Sequence, residues 1–305
     1  MIEINISEIN FNQLSEEWLQ FKKNQIKEST YLNYKFIIKS KFTEEFGKKS
    51  IEELLHYNFN LYISDLIERL ESKTVKDIIS ILKSILKYAE TKYDVNFKLN
   101  LVSSPSIYKK DIEIFTERER KRIEGICMKS NELKDLGILI SLYAGLRIGE
   151  VCALKWKDIN FESKCINVTH TLQRVYVSKK DTKIIYTTPK TRKSIRKIPL
   201  SKVLYAKLKD ISKQYEKNAF VLTGDIDKWV EPLGYRYTYK LILKQSRVKY
   251  KKFHTLRHTF ATRCVKVGMD TKSLSEILGH SNVNITLNIY VHSSFEIKNK
   301  YINKL

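Results

Sequence analysis

Apolar residues recur along the first hundred positions at the three-to-four-residue spacing of a helix face, as in Ile78, Ile79, Ile81, Leu82, Ile85, Leu86 and Ala89. Gly and Pro are almost absent from this stretch, so the pattern predicts helices with short connections. One begins near Phe11 and carries Leu14, Trp18, Leu19 and Phe21. A second starts at Ser29, an N-cap type of residue, and carries Tyr31, Tyr34, Ile37 and Ile38. Two more fit Ile51 to Leu70 and Ser72 to Thr91. Residues 98–113, KLNLVSSPSIYKKDIE, lose the period and contain Ser-Ser-Pro, which reads as an interdomain connection. Fully extended, it could span roughly 50 Å.

Beyond the connection the period returns. Thr116 followed by Glu119 is a capping-box pattern that starts a helix running to Cys127. Another helix spans Leu133 to Ala144, Gly145 ends it, and a third begins at Arg147 with Glu150 one turn on. Segments 164–169, 183–188 and 195–199 have the β-branched, alternating character of strands, with KTRKS at 190–194 as the turn between the last two. The rest reads as helix. The expected fold class is mainly α: a helical domain over 1–97, a linker over 98–113, and a mostly helical domain with a small antiparallel sheet over 114–305.

Charge changes this picture more than composition does. The chain has 305 residues, with 56 Lys and Arg against 34 Asp and Glu, a net charge of +22. Such a field favours a polyanionic partner without separating DNA from RNA. No run approaches the roughly 18 apolar residues of a membrane span, and the start MIEINISEIN lacks the marks of a signal peptide. The expected location is the cytoplasm, at the nucleoid. Cys127, Cys152, Cys165 and Cys264 form no CxxC pair and read as small core residues rather than zinc ligands or disulfides. Lys22, Lys23, Lys27, Tyr31, Lys35, Lys39, Lys73, Lys76 and Lys83 intersperse the helical pattern of the first domain. They fit either a solvated helix face or phosphate contact.

Four motifs carry the chemistry: GLRIGE at 145–150, TTPKT at 187–191, HTLRHTF at 254–260 and LGHSNVNITLNIYVH at 278–292. They contain, in order, Arg147, Lys190, His254, Arg257, His280 and Tyr290. Taken together they resemble the tyrosine recombinases, the phage integrase and Xer-like family, in which two arginines, a lysine, two histidines and a tyrosine nucleophile occur in this order. The resemblance covers nearly the whole chain. It implies a SAM-like core-binding domain at 1–97, a DNA breaking-rejoining catalytic domain at 114–305, and a clamp closed around one duplex.

The residue types suit metal-free cleavage of a phosphodiester, with no cofactor. Guanidinium forks, here Arg147 and Arg257, match the nonbridging oxygens on which charge develops. Glu150 is placed to orient Arg147. Tyr290, as the nucleophile the resemblance implies, would leave a 3′-phosphotyrosine that stores bond energy, so ATP is not needed. A phenol with pKa near 10 is about 4 kcal/mol from ionised at neutral pH. His254 and His280 can take its proton or bond the phosphate oxygens. Lys190 can protonate the leaving 5′-oxygen, although Lys193, Arg196 and Lys197 share its hairpin and read as phosphate contacts. His254 and His258 sit one turn apart, but Leu256 lies where a zinc motif needs Glu, and His258 is expected to pack or bond near Arg257.

The function expected is a site-specific DNA recombinase, an integrase or excisionase of a mobile element. The alternatives are Xer-like dimer resolution, DNA inversion, or a DNA-binding regulator without catalysis. The resemblance implies a homotetramer on two duplexes of double-stranded DNA, with an accessory directionality factor as a further partner. It also favours a tail, residues 293–305, that docks on a neighbouring protomer.

Overall fold

A computed structural model describes residues 5–106, 112–178, 181–189, 194–290 and 302–303. The chain divides into two compact units, residues 1–110 with 175–183, and 111–174 with 184–305.

The first unit is helical. α1 (Phe11–Lys23) opens on a capping box between Asn10 and Gln13 and buries Phe11, Leu14, Trp18 and Leu19. α2 (Glu28–Ile37) passes directly into a short π-helical turn, Ile38–Phe42, and α3 (Thr43–Phe46). Ser29 is not the N-cap: it lies inside α2, buried, and Lys27 precedes the helix without a side-chain cap. The expected helix from Ile51 to Leu70 is two, α4 (Ile51–Leu55) and α5 (Phe59–Arg69). Asn58 separates them, because its side chain accepts from the Asn60 amide and so starts a new helix. α6 (Ser72–Tyr93) buries Val75, Ile78, Ile79, Leu82, Ile85, Leu86 and Ala89 along one face, the stripe its sequence period describes.

Part of the expected connection is structured. Leu99–Leu101 forms a 3-10 turn, Val102 is buried in the core of the first unit, and Asn60 bonds Leu101 O and the Ser103 amide. Lys83 Nζ donates to Val102 O at 2.8 Å. That lysine, grouped in sequence with the phosphate contacts, is half-buried and holds its own chain instead.

The second unit is built around one large core. α7 (Glu117–Lys129) starts at the Thr116–Glu119 capping box, α8 (Leu133–Ala144) is buried on nearly every side, and α9 (Ile148–Ala153) follows. Among the described residues five strands come next: β1 (Ile159–Asn160), β2 (Cys165–Val168), β3 (Thr171–Tyr176), β4 (Thr182–Thr187) and β5 (Arg196–Pro199). β2 pairs antiparallel with β1 and with β5, in the register Ile166 to Ile198 and Val168 to Arg196. β3 and β4 form a separate two-stranded sheet. The segments 183–188 and 195–199 therefore do not pair with each other, because each has a partner earlier in the chain. α10 (Lys202–Ser212), α11 (Pro232–Gln245), α12 (His254–Lys266), α13 (Thr271–Leu278) and α14 (Val283–Tyr290) complete the unit. α12 lies on α8, and α13 packs against α14 and β5. Tyr290 joins Ala261, Cys264, Leu274 and Leu278 in a small satellite core between the last three helices. All four cysteines are buried and unbridged. Among the described residues no helix is long and apolar enough to cross a membrane.

Candidate active site

Two helix ends build the site. α8 and α13 both finish on a left-handed glycine, Gly145 (φ 67°) and Gly279 (φ 63°). This conformation strains any residue with a Cβ, and the neighbours leave little room for one. A Cβ on Gly145 would lie 2.6 Å from the Phe260 ring, and one on Gly279 2.9 Å from Arg196 Cδ. Each end exposes carbonyls that the helix itself cannot satisfy, at the negative pole of its dipole. Guanidinium groups fill that need. Arg257, from the first turn of α12, donates through Nη1 to Gly145 O at 2.8 Å and through Nη2 to Leu278 O at 2.6 Å. Arg147 donates through Nη2 to Gly279 O at 3.3 Å.

Arg257 is 1% exposed, and its Nε is buried without a partner. A buried donor left unbonded is costly, and Arg257 carries that cost inside the fold. Burial lowers the Arg257 pKa to about 9, the like charge of Arg147 adds to this and Glu150 opposes it. The guanidinium still carries its charge at neutral pH.

Glu150 organises the arginines. It lies in the first turn of α9 and is 3% exposed. Its Oε2 accepts from the Arg147 amide at 2.9 Å, and its Oε1 from Arg147 Nη1 at 2.7 Å. Arg196 grips the same carboxylate from β5 with two bonds, Nη1 to Oε1 at 3.0 Å and Nη2 to Oε2 at 2.9 Å. Burial alone would raise the Glu150 pKa, but Arg196, then Arg147 and Arg257, outweigh it and hold the carboxyl at about 2. Arg196, grouped in sequence with the hairpin's phosphate contacts, is thus removed from the surface. Its side chain is 5% exposed, its Nε donates to Ile277 O, and its Nη1 donates also to Ser194 O. Three guanidinium groups face one carboxylate, which leaves the site positive and disposed towards an anion.

The histidines and the tyrosine line the same region. His280 Nδ1 lies 2.8 Å from the hydroxyl of buried Thr286, which fixes the ring. Desolvation lowers its pKa to about 4, helped by Arg257 and Arg147. His254 keeps one side open to solvent. Crowding on the other side lowers its pKa, followed by the charges of His258, Arg257 and Arg147. Tyr290, at the end of α14, is 7% exposed and stacks parallel to His280 with ring centres 6.5 Å apart. Burial raises its pKa to about 12, and Arg257 and Arg147 oppose the rise. Its hydroxyl lies 2.6 Å from His258 Nδ1. Sequence reasoning places His258 near Arg257 and misses this contact. The HTLRH spacing puts His254 and His258 on one helix face, but their order along the chain carries no sign of which one meets a tyrosine 32 positions later.

Arg147, Glu150, His254, Arg257, His258, His280 and Tyr290 therefore come together. Lys190, Lys193, His292 and, apart from 302–303, the tail lie outside the described residues. In the first unit Lys23, Lys35, Lys39, Lys73 and Lys76 are exposed, and Lys22, Lys27 and Tyr31 are half-buried. Among the described residues no cluster of three or more His, Cys, Asp or Glu could hold a metal ion.

The model of the phage integrase family matches residues 113–296, and that of the phage integrase N-terminal SAM-like domain matches residues 10–56. The chain is 30% identical, over 326 residues, to a tyrosine recombinase XerC-like protein of Caldanaerobacter subterraneus subsp. tengcongensis, covering 95% of this chain and 81% of that protein. It is 34% identical over 185 residues to the transposase from transposon Tn916 of Enterococcus faecalis, covering 52% of this chain and 42% of that protein. The fold matches the Tn1549 transposon integrase in complex with circular intermediate DNA with a TM-score of 0.73, at 24% identity over 97% of this chain and 99% of that one. The chain belongs to the phage integrase family, and its activity class is that of the tyrosine-type site-specific DNA recombinases.

Proposed function

We propose that this protein integrates and excises a mobile element by cleaving double-stranded DNA at a specific site through Tyr290 and rejoining it. The observation that carries the reading is the convergence of Arg147 and Arg257, His258 and His280 on the buried Tyr290. That combination suits a scissile phosphate better than a structural ion pair, since Arg257 bonds the main-chain carbonyls of Gly145 and Leu278 rather than a carboxylate.

In this reading the nonbridging oxygens take bonds from Arg147 and Arg257, with His254 and His280 completing the cradle. The Tyr290 oxygen attacks phosphorus, the P–O5′ bond breaks, and Lys190 gives the departing oxygen its proton. The reverse sequence, with a 5′-hydroxyl from another strand, completes exchange. Likeness to the Tn916 transposase favours a mobile element over dimer resolution. Domains at 1–97 and 114–305 closed around one duplex, and four protomers on two duplexes, are what the family resemblance implies. So is a directionality factor as accessory partner. A protein with this substrate works in the cytoplasm, at the nucleoid.

The test is to express the protein in a host carrying the element and sequence the junctions that change. A nicked duplex bearing a recovered junction is then incubated with protein in EDTA without nucleotide. New junctions with a fixed core sequence, and an adduct stable to denaturation, are expected. DNA binding without either would make the protein a regulator.

A further inference from the structure

We propose that His258 is the group that takes the proton from Tyr290 as its oxygen attacks phosphorus, and that returns it when the strand is rejoined. The inference rests on the recombinase reading of the site, and it gives the second histidine of HTLRH a chemical role distinct from that of His254.

Geometry selects His258 among three histidines. Its Nδ1 is 2.6 Å from the Tyr290 oxygen, a distance at which a proton passes directly. His280 is committed at Nδ1 to Thr286 and meets Tyr290 only face to face, with parallel rings 6.5 Å apart. His254 meets the ring of His258 edge-on, with ring centres 4.5 Å apart. The contact is also built rather than incidental. Tyr290 is buried in the satellite core with Ala261 and Cys264 of α12, the helix that carries His258, so backbone and packing hold the two groups together.

For Nδ1 to accept, His258 must carry its ring proton on Nε2. The groups facing it are His254 and Arg257 from its own helix, Tyr290 from α14, and His280 beyond the end of α13. Desolvation and Arg257 lower its pKa to about 4, so the ring is neutral and able to accept at physiological pH. An anionic phosphate bound to Arg257 would relieve that positive charge and strengthen the base when it is needed. In the step itself the Oη–H bond breaks and the proton goes to Nδ1. The freed pair on the oxygen forms the O–P bond, and the P–O5′ pair leaves with the 5′-oxygen. On rejoining, the imidazolium returns its proton to the departing Tyr290 oxygen.

The test uses the full chain and the nicked duplex carrying the recovered junction, with single-turnover adduct formation followed from about pH 5 to 9. His258→Ala should bind this DNA within about twofold of the wild type and form the adduct some 10²- to 10⁴-fold more slowly, the usual contribution of a general base. Added imidazole should restore at least about tenfold, and more as the pH passes its pKa. His258→Gln, which keeps a polar contact but takes no proton, should be no faster than the alanine variant. Rescue by glutamine without rescue by imidazole, or a rate within about threefold of the wild type in both variants, would overturn the proposal. If the alanine variant fails to bind, a glutamine variant at wild-type rate overturns it equally. Wild-type protein that forms no adduct at all would defeat the recombinase reading as well. Wild-type adduct through Tyr290 alongside unaffected His258 variants would defeat only this proposal.

Discussion

Replacing Glu150 with Gln should destabilise the second unit by about 3 kcal/mol at pH 7. Holding a buried carboxyl at about 2 rather than the ordinary 4.5 corresponds to roughly that much preference for its ionised form in the folded state. The structure supplies the counter-check: Glu150→Gln leaves the guanidinium of Arg196, 5% exposed, without an anion, and breaking a buried pair from one side costs about 3–5 kcal/mol. Because the folded pKa is depressed, this stability is fully present above the unfolded value. It should fade as the pH falls from about 4.5 towards 2. Hydrogen exchange in urea, read on peptides of α9 and β5, measures the loss. In a double-mutant cycle with Arg196→Met, the pair should be at least about 1 kcal/mol less destabilised than the sum of the singles, since the second change removes the stranded charge. Adduct formation should also slow, about 10- to 100-fold, because Arg147 loses the carboxylate that fixes its fork. A destabilisation under about 1 kcal/mol, strict additivity, or no narrowing in acid would show that the carboxylate is not the organising group.

Two further outcomes follow from the same chemistry. Lys190→Ala should slow cleavage of a normal 5′-oxygen but spare a substrate with a bridging 5′-sulfur, which leaves without a proton; equal impairment of both would remove the general-acid role and turn attention to Lys193. Changing exposed Lys23, Lys35, Lys39, Lys73 and Lys76 together to Gln should flatten the slope of log affinity against log salt by about 0.9 for each DNA phosphate that is no longer neutralised, and an unchanged slope would leave these lysines as a solvated face.

Much of the fold is legible in the sequence because it is written locally. The α6 stripe, the Thr116–Glu119 box and the glycine that ends α8 each depend on residues within a few positions of one another. β3 escapes such a reading although Leu172 and Val175 are buried, since TLQRVY alternates only weakly. The strand pairing escapes it too. β5 lies beside β2 rather than β4, and nothing in a neighbouring turn records a partner some thirty residues back. The site divides the same way. Motif order alone associates Arg147, Arg257, His280 and Tyr290. By contrast, the burial of Arg196 against Glu150, 46 residues away, and the pairing of His258 with Tyr290 are products of packing. An arginine in a basic cluster reads as surface until a buried carboxylate is seen to claim it, and a lysine such as Lys83 reads as solvated until a carbonyl caps it.

The central claim, that Tyr290 makes and breaks the DNA linkage, is tested most directly by mapping the adduct. Wild-type protein trapped on the nicked duplex is digested with trypsin and nuclease, and the nucleotide-bearing peptide is sequenced by mass spectrometry. The prediction is one modified peptide, residues 273–298, with a nucleotide joined through its 3′-phosphate to Tyr290, and no adduct from Tyr290→Phe even though that variant binds DNA as the wild type does. A nucleotide on another residue, a 5′ linkage, or an adduct that persists in Tyr290→Phe would contradict it.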